Sequence, residues 1–374
     1  MRAVITAGGT AGHIHPAIAI ADEIMKNEPD SQILFIGRRD GMEQSIVSSR
    51  GYRLAGIDVH GFMRRITFRN ILFNIRSLLY ILIATRESKR ILKEFKPDIV
   101  IGCGGYVSGP VVRAAAKKGI KTVIQEQNSY PGITTKLLER YVNMVFCADI
   151  DGVSHLKYKD KAIVTGNPIK EEYFKADRNL LRNRYDVGDR VFVLSYGGSN
   201  GSEGLNAVVA AFMSKHYKSN RVFHVHATGQ YAKESFERLV AERHVDYENC
   251  SNIKVFEYIP DIADYYAACD LVISRAGALT ISEIKAVGRA SVLIPSPNVT
   301  ENHQLYNALS LARIDSAYVF EEGTISVDDI AERIMLLTRD REKLVLMGEN
   351  AKKYAEVDAS GKIYRYIHEL LDGD

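Results

Sequence analysis

A strand, a glycine-rich loop and an apolar helix follow one another twice in this chain, and no other feature constrains its fold as strongly. Val4-Ile-Thr-Ala-Gly-Gly-Thr-Ala-Gly-His13 is echoed by Val193-Leu-Ser-Tyr-Gly-Gly-Ser-Asn-Gly-Ser202 about 190 residues later. Glycines at a strand end permit positive φ and a close approach to the backbone, and the helix that follows offers free N–H groups to an anion. Around both openings, short apolar runs alternate with helical patterns. Ala3–Thr6, Ile33–Ile36, Ile99–Ile101 and Lys121–Ile124 read as strands, with Pro16–Met25 a helix; Val191–Ser195, Arg221–His226, Asn252–Phe256, Leu271–Ser274 and Ser291–Pro295 follow as strands. Such alternation predicts an α/β protein with parallel sheets covered by helices on both faces. A length of 374 residues suits two domains of this kind. We therefore expect two Rossmann-like domains facing a cleft, joined near the turn-rich Thr165-Gly-Asn-Pro-Ile169.

Composition narrows the possible roles. With 49 Lys+Arg against 46 Asp+Glu the net charge is +3, which gives no global case for a nucleic-acid partner. The four cysteines (Cys103, Cys147, Cys250, Cys269) are scattered without a C-x-x-C pair, against a disulfide framework or a cysteine zinc site and in favour of a reducing compartment. The N-terminus lacks a signal-peptide pattern, and the longest apolar stretch, Leu78–Ala84, is too short to span a bilayer.

Several polar clusters fall at strand ends, where ligands of parallel sheets bind. Gly8-Gly9-Thr10-Ala11-Gly12-His13 departs from the dinucleotide spacing G-x-G-x-x-G, and a histidine at its tip suits proton transfer better than a plain turn. His13-Ile-His15 lacks the companions of a metal site, and Asp149-Ile-Asp151 lies in neither glycine-loop neighbourhood. His224 and His226 alternate onto one face of a strand, a pattern met by buried, hydrogen-bonded rings. Ser274-Arg275-Ala-Gly-Ala-Leu-Thr280-Ile-Ser-Glu283 ends a strand and opens a helix at Thr280. Thr280-x-x-Glu283 matches a capping box as well as it matches a carboxylate held for two ribose hydroxyls. Glu301-Asn302-His303-Gln304 with Asn307 gathers hydrogen-bonding groups suited to a hydroxyl-rich ligand. Gly104-Gly105-Tyr106-Val-Ser108-Gly-Pro110 and Gln125-Glu126-Gln127-Asn128 follow strands of the first half and are expected at the same edge as His13.

In this order the motifs resemble the N-acetylglucosaminyltransferases of peptidoglycan synthesis, the MurG family: GGT-x-GH at Gly8–His13, GGYVSGP at Gly104–Pro110, EQN at Glu126–Asn128, GNP at Gly166–Pro168, GGS-x-G at Gly197–Gly201, RxGALTxSE at Arg275–Glu283 and HQ…NA at His303–Ala308. The resemblance implies the two-domain GT-B fold and an inverting transfer of GlcNAc from UDP-GlcNAc to the MurNAc 4-hydroxyl of undecaprenyl-pyrophosphoryl-MurNAc-pentapeptide (lipid I), giving lipid II. It implies no obligate cofactor, leaves a divalent cation open, and assigns His13 as general base. On the donor side it implies Glu283 for the ribose, Ser199 and the Ala278–Thr280 turn for the diphosphate, Ile259 for uracil through its backbone, and Gln304 and Asn307 for the sugar. Asn200, Gly201, Arg275 and Leu279 complete that set. Thr10, Ala11, Gly12, Gly105, Tyr106, Asn128 and Lys170 are expected to hold the acceptor. This chain departs from the family pattern in Gln125 before EQN, Lys170 after GNP-x, and His226-Ala-Thr-Gly229 for HQ-[ST]-G. The expected partition is 1–165 for the acceptor and 166–357 for the donor, with a helix at about 358–374 returning to the first domain.

One segment breaks the near-neutral average. Gly61–Lys96 holds nine basic and two acidic residues, a net +7, so the rest of the chain sums to −4. Ile71, Ile75, Leu78, Leu79 and Leu82 share a helical face, with Phe68 and Arg76 beside it. That combination suits an anionic leaflet, with Phe68, Ile71, Ile75, Arg76, Leu79 and Leu82 as contacts and a peripheral location on the cytoplasmic face of the membrane. Rival readings are another glycolipid synthase of the same fold, a UDP-GlcNAc 2-epimerase, and a catalytically silent recruiter.

Overall fold

The computed structural model describes the backbone of residues 1–61 and 68–373, and their side chains except those of 68–76, 78 and 300. It divides into two compact units, Met1–Ile169 with Asp358–Asp374, and Lys170–Val357.

The first unit carries a parallel sheet of β1 (Arg2–Thr6), β2 (Gln32–Arg38), β3 (Arg53–Ile57), β4 (Ile99–Gly102), β5 (Lys121–Glu126), β6 (Met144–Cys147) and β7 (Ala162–Val164), in the order β3-β2-β1-β4-β5-β6-β7. Ile5 of β1 lies opposite Phe35 of β2 and Ile101 of β4. Alternation splits the apolar strand residues between two cores, as expected for a sheet buried on both faces. Ala3, Ile5, Phe35 and Ile101 pack with Ile14, Ala21 and Ile24 of the helix Ala11–Asn27. Val4, Leu34, Val100 and Ile124 face the other way, toward Ala84 and Leu92 of the helix Phe68–Phe95 and Val111 of the helix Ser108–Ala116. The C-terminal helix Ala359–Asp372 sends fully buried Ile363 and Ile367 into the core beneath Ile14, and Tyr364 donates to Glu28 at 3.0 Å.

The second unit repeats the plan with β8 (Val191–Tyr196), β9 (Val222–Ala227), β10 (Ile253–Phe256), β11 (Leu271–Ser274), β12 (Ala290–Leu293) and β13 (Ala317–Val319), ordered β10-β9-β8-β11-β12-β13. Val193, Ile273 and Val292 pack on the helices Glu203–His216 and Val327–Leu337. On the opposite face Phe192 meets Phe223 edge-on, with ring centroids 5.0 Å apart. In each sheet the order reverses beside the first strand, between β1 and β4 and between β8 and β11, and such reversals open a crevice at the strand ends. Both glycine loops leave from those points.

The sequence reading omits β3, β6, β7 and β13. The last two have three residues each and β6 has four, and β3 is interrupted by a glycine.

Candidate functional site

At the reversal of the first sheet two glycine loops interlock. Gly104 and Gly105, after β4, adopt φ of 96° and 80°. A Cβ on Gly105 would lie 2.3 Å from the Gly8 carbonyl oxygen, and one on Gly104 would lie 2.6 Å from His13 Cδ2. Ser108 Oγ staples the turn, donating to the Gly104 carbonyl at 2.6 Å and the Thr6 carbonyl at 2.9 Å. His13 sits in the first turn of the helix Ala11–Asn27, its Nδ1 3.1 Å from the Gly8 carbonyl and 3.1 Å from Thr10 Oγ1. A carbonyl only accepts, so that bond puts the ring proton on Nδ1 and the lone pair on Nε2. His15 is two residues on, about 200° around the helix, and it is exposed while His13 is half-buried. The His13–His15 pair does not converge.

Two carboxylates hold these loops, Glu43, which sequence reasoning passed over, and Glu126 of the EQN motif. Glu43, almost fully buried, lies under Gly8 and accepts the Arg38 amide at 2.6 Å. Glu126 accepts the amides of Asn128 (3.0 Å) and Gly132 (3.1 Å), the Asn128 side chain (3.1 Å) and the Thr135 hydroxyl. Asn128 is thus set by its neighbour in the EQN motif. Gln125 is buried and bonds Asn167 at 2.8 Å, which gives it a packing role in the GNP turn. Thr10, Gly12 and Tyr106 are exposed at the loop surface; Ala11 is half-buried.

In the second unit Ser199 and Asn200 lie exposed at the tip of the loop after β8. Gly201 and Gly229 touch backbone to backbone, and a Cβ on Gly229 would sit 2.0 Å from Gly201 N. Ser202 caps the helix Glu203–His216. Arg275 reaches that cap with Nε (2.8 Å) and Nη2 (2.5 Å), pairs with Glu322 (2.6 Å), and gives Nη1 to the carbonyls of Ile294 (2.9 Å) and Pro295 (3.1 Å). Its five N–H bonds are all engaged by protein, so Arg275 braces the loop here. Asn307, nearly fully buried, donates to the Ala276 carbonyl at 3.1 Å, and Gln304 accepts the Ser296 amide at 2.9 Å. Glu301 and Asn302 precede them with φ of 49° and 53°, an uncommon pair of left-handed non-glycine residues. Ile259 is buried.

The helix expected to open at Thr280 begins two residues earlier. It spans Ala278–Val287 with Gly277 at its N-cap and no side-chain cap. Thr280 is its third residue and Glu283 its sixth, so the capping box is not formed. Glu283 instead stands beside Tyr173 and Tyr266, and burial pushes its carboxyl up to about 7 although both hydroxyls and the nearby Lys170 charge oppose the rise. The Tyr266 hydroxyl meets that of Tyr196, which donates to Thr280 Oγ1 at 3.2 Å. Lys170, expected with the acceptor group, belongs to the second unit and stands within electrostatic reach of Glu283. The tyrosines were missed because no motif or spacing links Tyr173, Tyr196 and Tyr266, which come from three separate elements. The one available signal was Tyr196 immediately before the second glycine loop.

His224 and His226 are fully buried, as their alternation suggested, and His216 joins them. Asp149 caps the helix Ile150–Ser154 through the Gly152 amide at 2.9 Å. Among the described residues, no group of three or more His, Cys, Asp or Glu is arranged to hold a metal ion.

Two Rossmann-type units with glycine loops at their switch points, one carrying a histidine and the other an uncapping carboxylate, define the GT-B class of glycosyltransferases. The glycosyltransferase family 28 N-terminal domain matches residues 3–147 and the family's C-terminal domain matches 191–363. The chain belongs to glycosyltransferase family 28. It is 40% identical over 371 residues, 99% of this chain and all of the relative, to the UDP-N-acetylglucosamine–N-acetylmuramyl-(pentapeptide) pyrophosphoryl-undecaprenol N-acetylglucosamine transferase of Thermoanaerobacter sp.. The protein of the same name in Acetivibrio thermocellus is 38% identical over 99% of this chain and 98% of its own. Among solved structures, Acinetobacter baumannii MurG aligns with a TM-score of 0.79 and 27% identity, over 98% of this chain and 99% of that one. A Neisseria meningitidis UDP-GlcNAc 2-epimerase bound to UDP-GlcNAc aligns at 0.67 with 13% identity, over 99% of this chain and all of that one, a likeness of fold alone.

Proposed function

We propose that this protein transfers N-acetylglucosamine from UDP-N-acetylglucosamine to undecaprenyl-pyrophosphoryl-MurNAc-pentapeptide, the step that completes the lipid-linked disaccharide of peptidoglycan. The observation that carries this reading is identity at the 40% level across 99% of the chain, because it spans both units. The second unit supplies the donor elements: Glu283 for the ribose, Ser199 and the amides at the start of the helix Ala278–Val287 for the diphosphate, Ile259 for the base, and Gln304 for the sugar. Loop amides and a helix N-terminus suit the charge that grows on the departing diphosphate, and on this reading no metal is required. The first unit supplies the acceptor elements, the interlocked loops of Gly8–His13 and Gly104–Tyr106 with Asn128. His13 Nε2 takes the proton of the attacking 4-hydroxyl as it displaces UDP with inversion.

Contact with an anionic leaflet belongs to the same reading. On the helix Phe68–Phe95 small residues face inward, with Ser77, Ala84 and Ser88 buried. Leu79, Leu82 and Ile83 are exposed, and the same outward side continues as Arg86, Lys89, Arg90 and Lys93. The apolar half enters the interface and the basic half meets anionic headgroups. The expected contacts Phe68, Ile71, Ile75 and Arg76 lie outside the residues whose side chains are described. Among the described residues, no helix is long and apolar enough to cross a membrane.

Incubation with UDP-GlcNAc, with and without lipid I, tests the assignment. UDP release that depends on lipid I and yields a lipid-linked disaccharide is expected. Free ManNAc formed without acceptor would mark an epimerase. Sedimentation with anionic but not neutral vesicles, weakened by Leu79→Gln with Leu82→Gln, is expected for the membrane contact.

A further inference from the structure

A buried carboxylate lies beneath the loop that carries His13. Glu43 opens the short helix Glu43–Ser48 with only 1% of its surface exposed. Its hydrogen bonds among the described residues come from backbone amides, Arg38 at 2.6 Å on Oε1 and Gly9 at 3.5 Å on Oε2. The Arg38 guanidinium turns to Asp40 instead, at 2.7 Å. A Cβ on Gly8, Gly37 or Gly41 would run into the Glu43 side chain, so three glycines make room for it. Burying a carboxylate on amides alone costs more than burying an aliphatic side chain of similar volume, so packing does not account for Glu43.

The Gly9 amide belongs to the same peptide group as the Gly8 carbonyl. That peptide is trans, so the two point in opposite directions, the N–H to Glu43 and the carbonyl to His13 Nδ1 at 3.1 Å. With glycine on both sides, and Gly9 at φ of 83°, sterics leave the peptide free to turn over. A flip would put the carbonyl oxygen against the carboxylate and the N–H against the imidazole. An N–H beside Nδ1 asks for a lone pair there, which moves the ring proton to Nε2 and removes the base. Glu43 opposes the flip twice, by accepting the N–H and by repelling the oxygen.

We propose that Glu43 is a positioning residue for His13: its carboxylate fixes the orientation of the Gly8–Gly9 peptide, and the carbonyl of that peptide fixes the ring tautomer that leaves Nε2 basic. The consequence for the reaction rests on His13 as the base that takes the proton of the attacking hydroxyl. Glutamine is the informative replacement. Its single oxygen keeps the shorter bond, to the Arg38 amide, and its NH2 group then faces the Gly9 N–H. Two donors oppose each other there, and the peptide turns over.

Nitrogen NMR of the imidazole tests this in the full chain without ligand. Ring ¹⁵N shifts are read at about pH 9, where an ordinary imidazole is neutral, and His13→Ala identifies the His13 signals. The parent is expected to carry its proton on Nδ1. In Glu43→Gln the proton should move to Nε2, and kcat with lipid I should fall at least about tenfold while the affinity for UDP stays within about twofold. Glu43→Met keeps the volume without either acceptor and should show both tautomers; it replaces the glutamine variant if that one does not fold, as thermal melts will report. A parent ring protonated mainly on Nε2, or a folded variant whose ring stays wholly on Nδ1, would overturn the positioning role. The underlying reading is scored separately: a swapped tautomer with parental kcat upholds the positioning by Glu43 and removes His13 as the base.

Discussion

His13 Nδ1 lies 3.1 Å from the carbonyl oxygen of Gly8, five residues earlier in the same loop. The loop therefore selects the tautomer of its own histidine and leaves Nε2 as the basic nitrogen. Histidine catalysis of this kind is worth about 10²–10⁴ in rate. His13→Ala is expected to lower kcat at least about a hundredfold while the affinity for UDP, measured calorimetrically, stays within about twofold. A variant with near-parental kcat would remove His13 from the base role.

The partner loop sets a second expectation. Gly105 has φ of 80° and would place a Cβ 2.3 Å from the Gly8 carbonyl, the group that holds His13. Gly105→Ala must shift one loop or the other, at a cost of about 2 kcal/mol. Activity with lipid I should fall more than tenfold, with UDP binding by the other unit little changed. Parental kinetics would show that the loops do not need this close approach.

Both switch points were legible in the sequence, because a glycine loop between an apolar strand and an apolar helix leaves few alternatives. The polar clusters at the ends of β4, β5 and β11 were legible for the same reason: an interior strand that stops in hydrogen-bonding residues has little packing use for them. What supports those clusters was not. Glu43 reaches the Gly9 amide, 34 residues away, as well as that of Arg38, and Glu126, legible as part of its motif, gathers Asn128, Gly132 and Thr135 through bonds that no spacing announces. Tyr173, Tyr196 and Tyr266 come from three elements, and no motif or spacing links them. Thr280 and Glu283 show a limit of local pattern. Thr-x-x-Glu fits a cap by spacing, but the helix begins at Ala278 and its N-cap is Gly277, so Thr280 is already inside it.

Arg275 carries a prediction about bracing. Its guanidinium joins Ser202, Glu322 and the carbonyls of Ile294 and Pro295, and lysine has neither the fork nor the donors to do so. Arg275→Lys is expected to lose about 1–3 kcal/mol of stability in denaturant titration. It should also raise the donor KM several-fold, through a looser Ser199–Ser202 loop, with kcat less affected. Unchanged stability with a lowered kcat would make Arg275 a direct partner of the reacting diphosphate instead.

Glu283 sets function against stability. Its carboxyl is raised to about 7, chiefly by burial, above the usual carboxylate range. Its contribution to the ligand-free fold is therefore full at low pH and is lost as the pH rises through about 7. Glu283→Gln, measured without ligand, should melt at or above the parent temperature at pH 8, with the difference shrinking toward pH 5. On the proposed function it is the ionised form that would accept the ribose hydroxyls, so the parent's donor KM should rise as the pH falls below that range. In Glu283→Gln it should be raised at least about tenfold throughout. A donor KM in that variant equal to the parent's would separate Glu283 from the donor.

The buried histidines beneath β8 and β9 predict an acid limit on the second unit. His216 Nε2 meets His224 Nδ1 at 3.0 Å, and Ser195 Oγ joins His224 Nε2 at 2.7 Å to His226 Nδ1 at 2.9 Å. Burial lowers His216 to about 4 and His226 to about 3, and the mutual repulsion of the rings adds to burial at His224. All three are neutral in the fold and gain protons more readily when unfolded. Their contribution to stability is therefore complete above the ordinary imidazole range and is lost progressively as the pH falls toward 4 and 3. His226 is the informative position, because its Nε2 is buried without a hydrogen-bond partner and its ring already packs on Phe236 at 4.6 Å. His226→Phe keeps the ring and removes that group, so at pH 8 it should lie within about 1.5 kcal/mol of the parent. Between pH 6.5 and 4 its unfolding midpoint should fall less steeply than the parent's. Parallel curves through that interval would mean that His226 takes up no proton on unfolding and that carboxylates elsewhere set the acid limit.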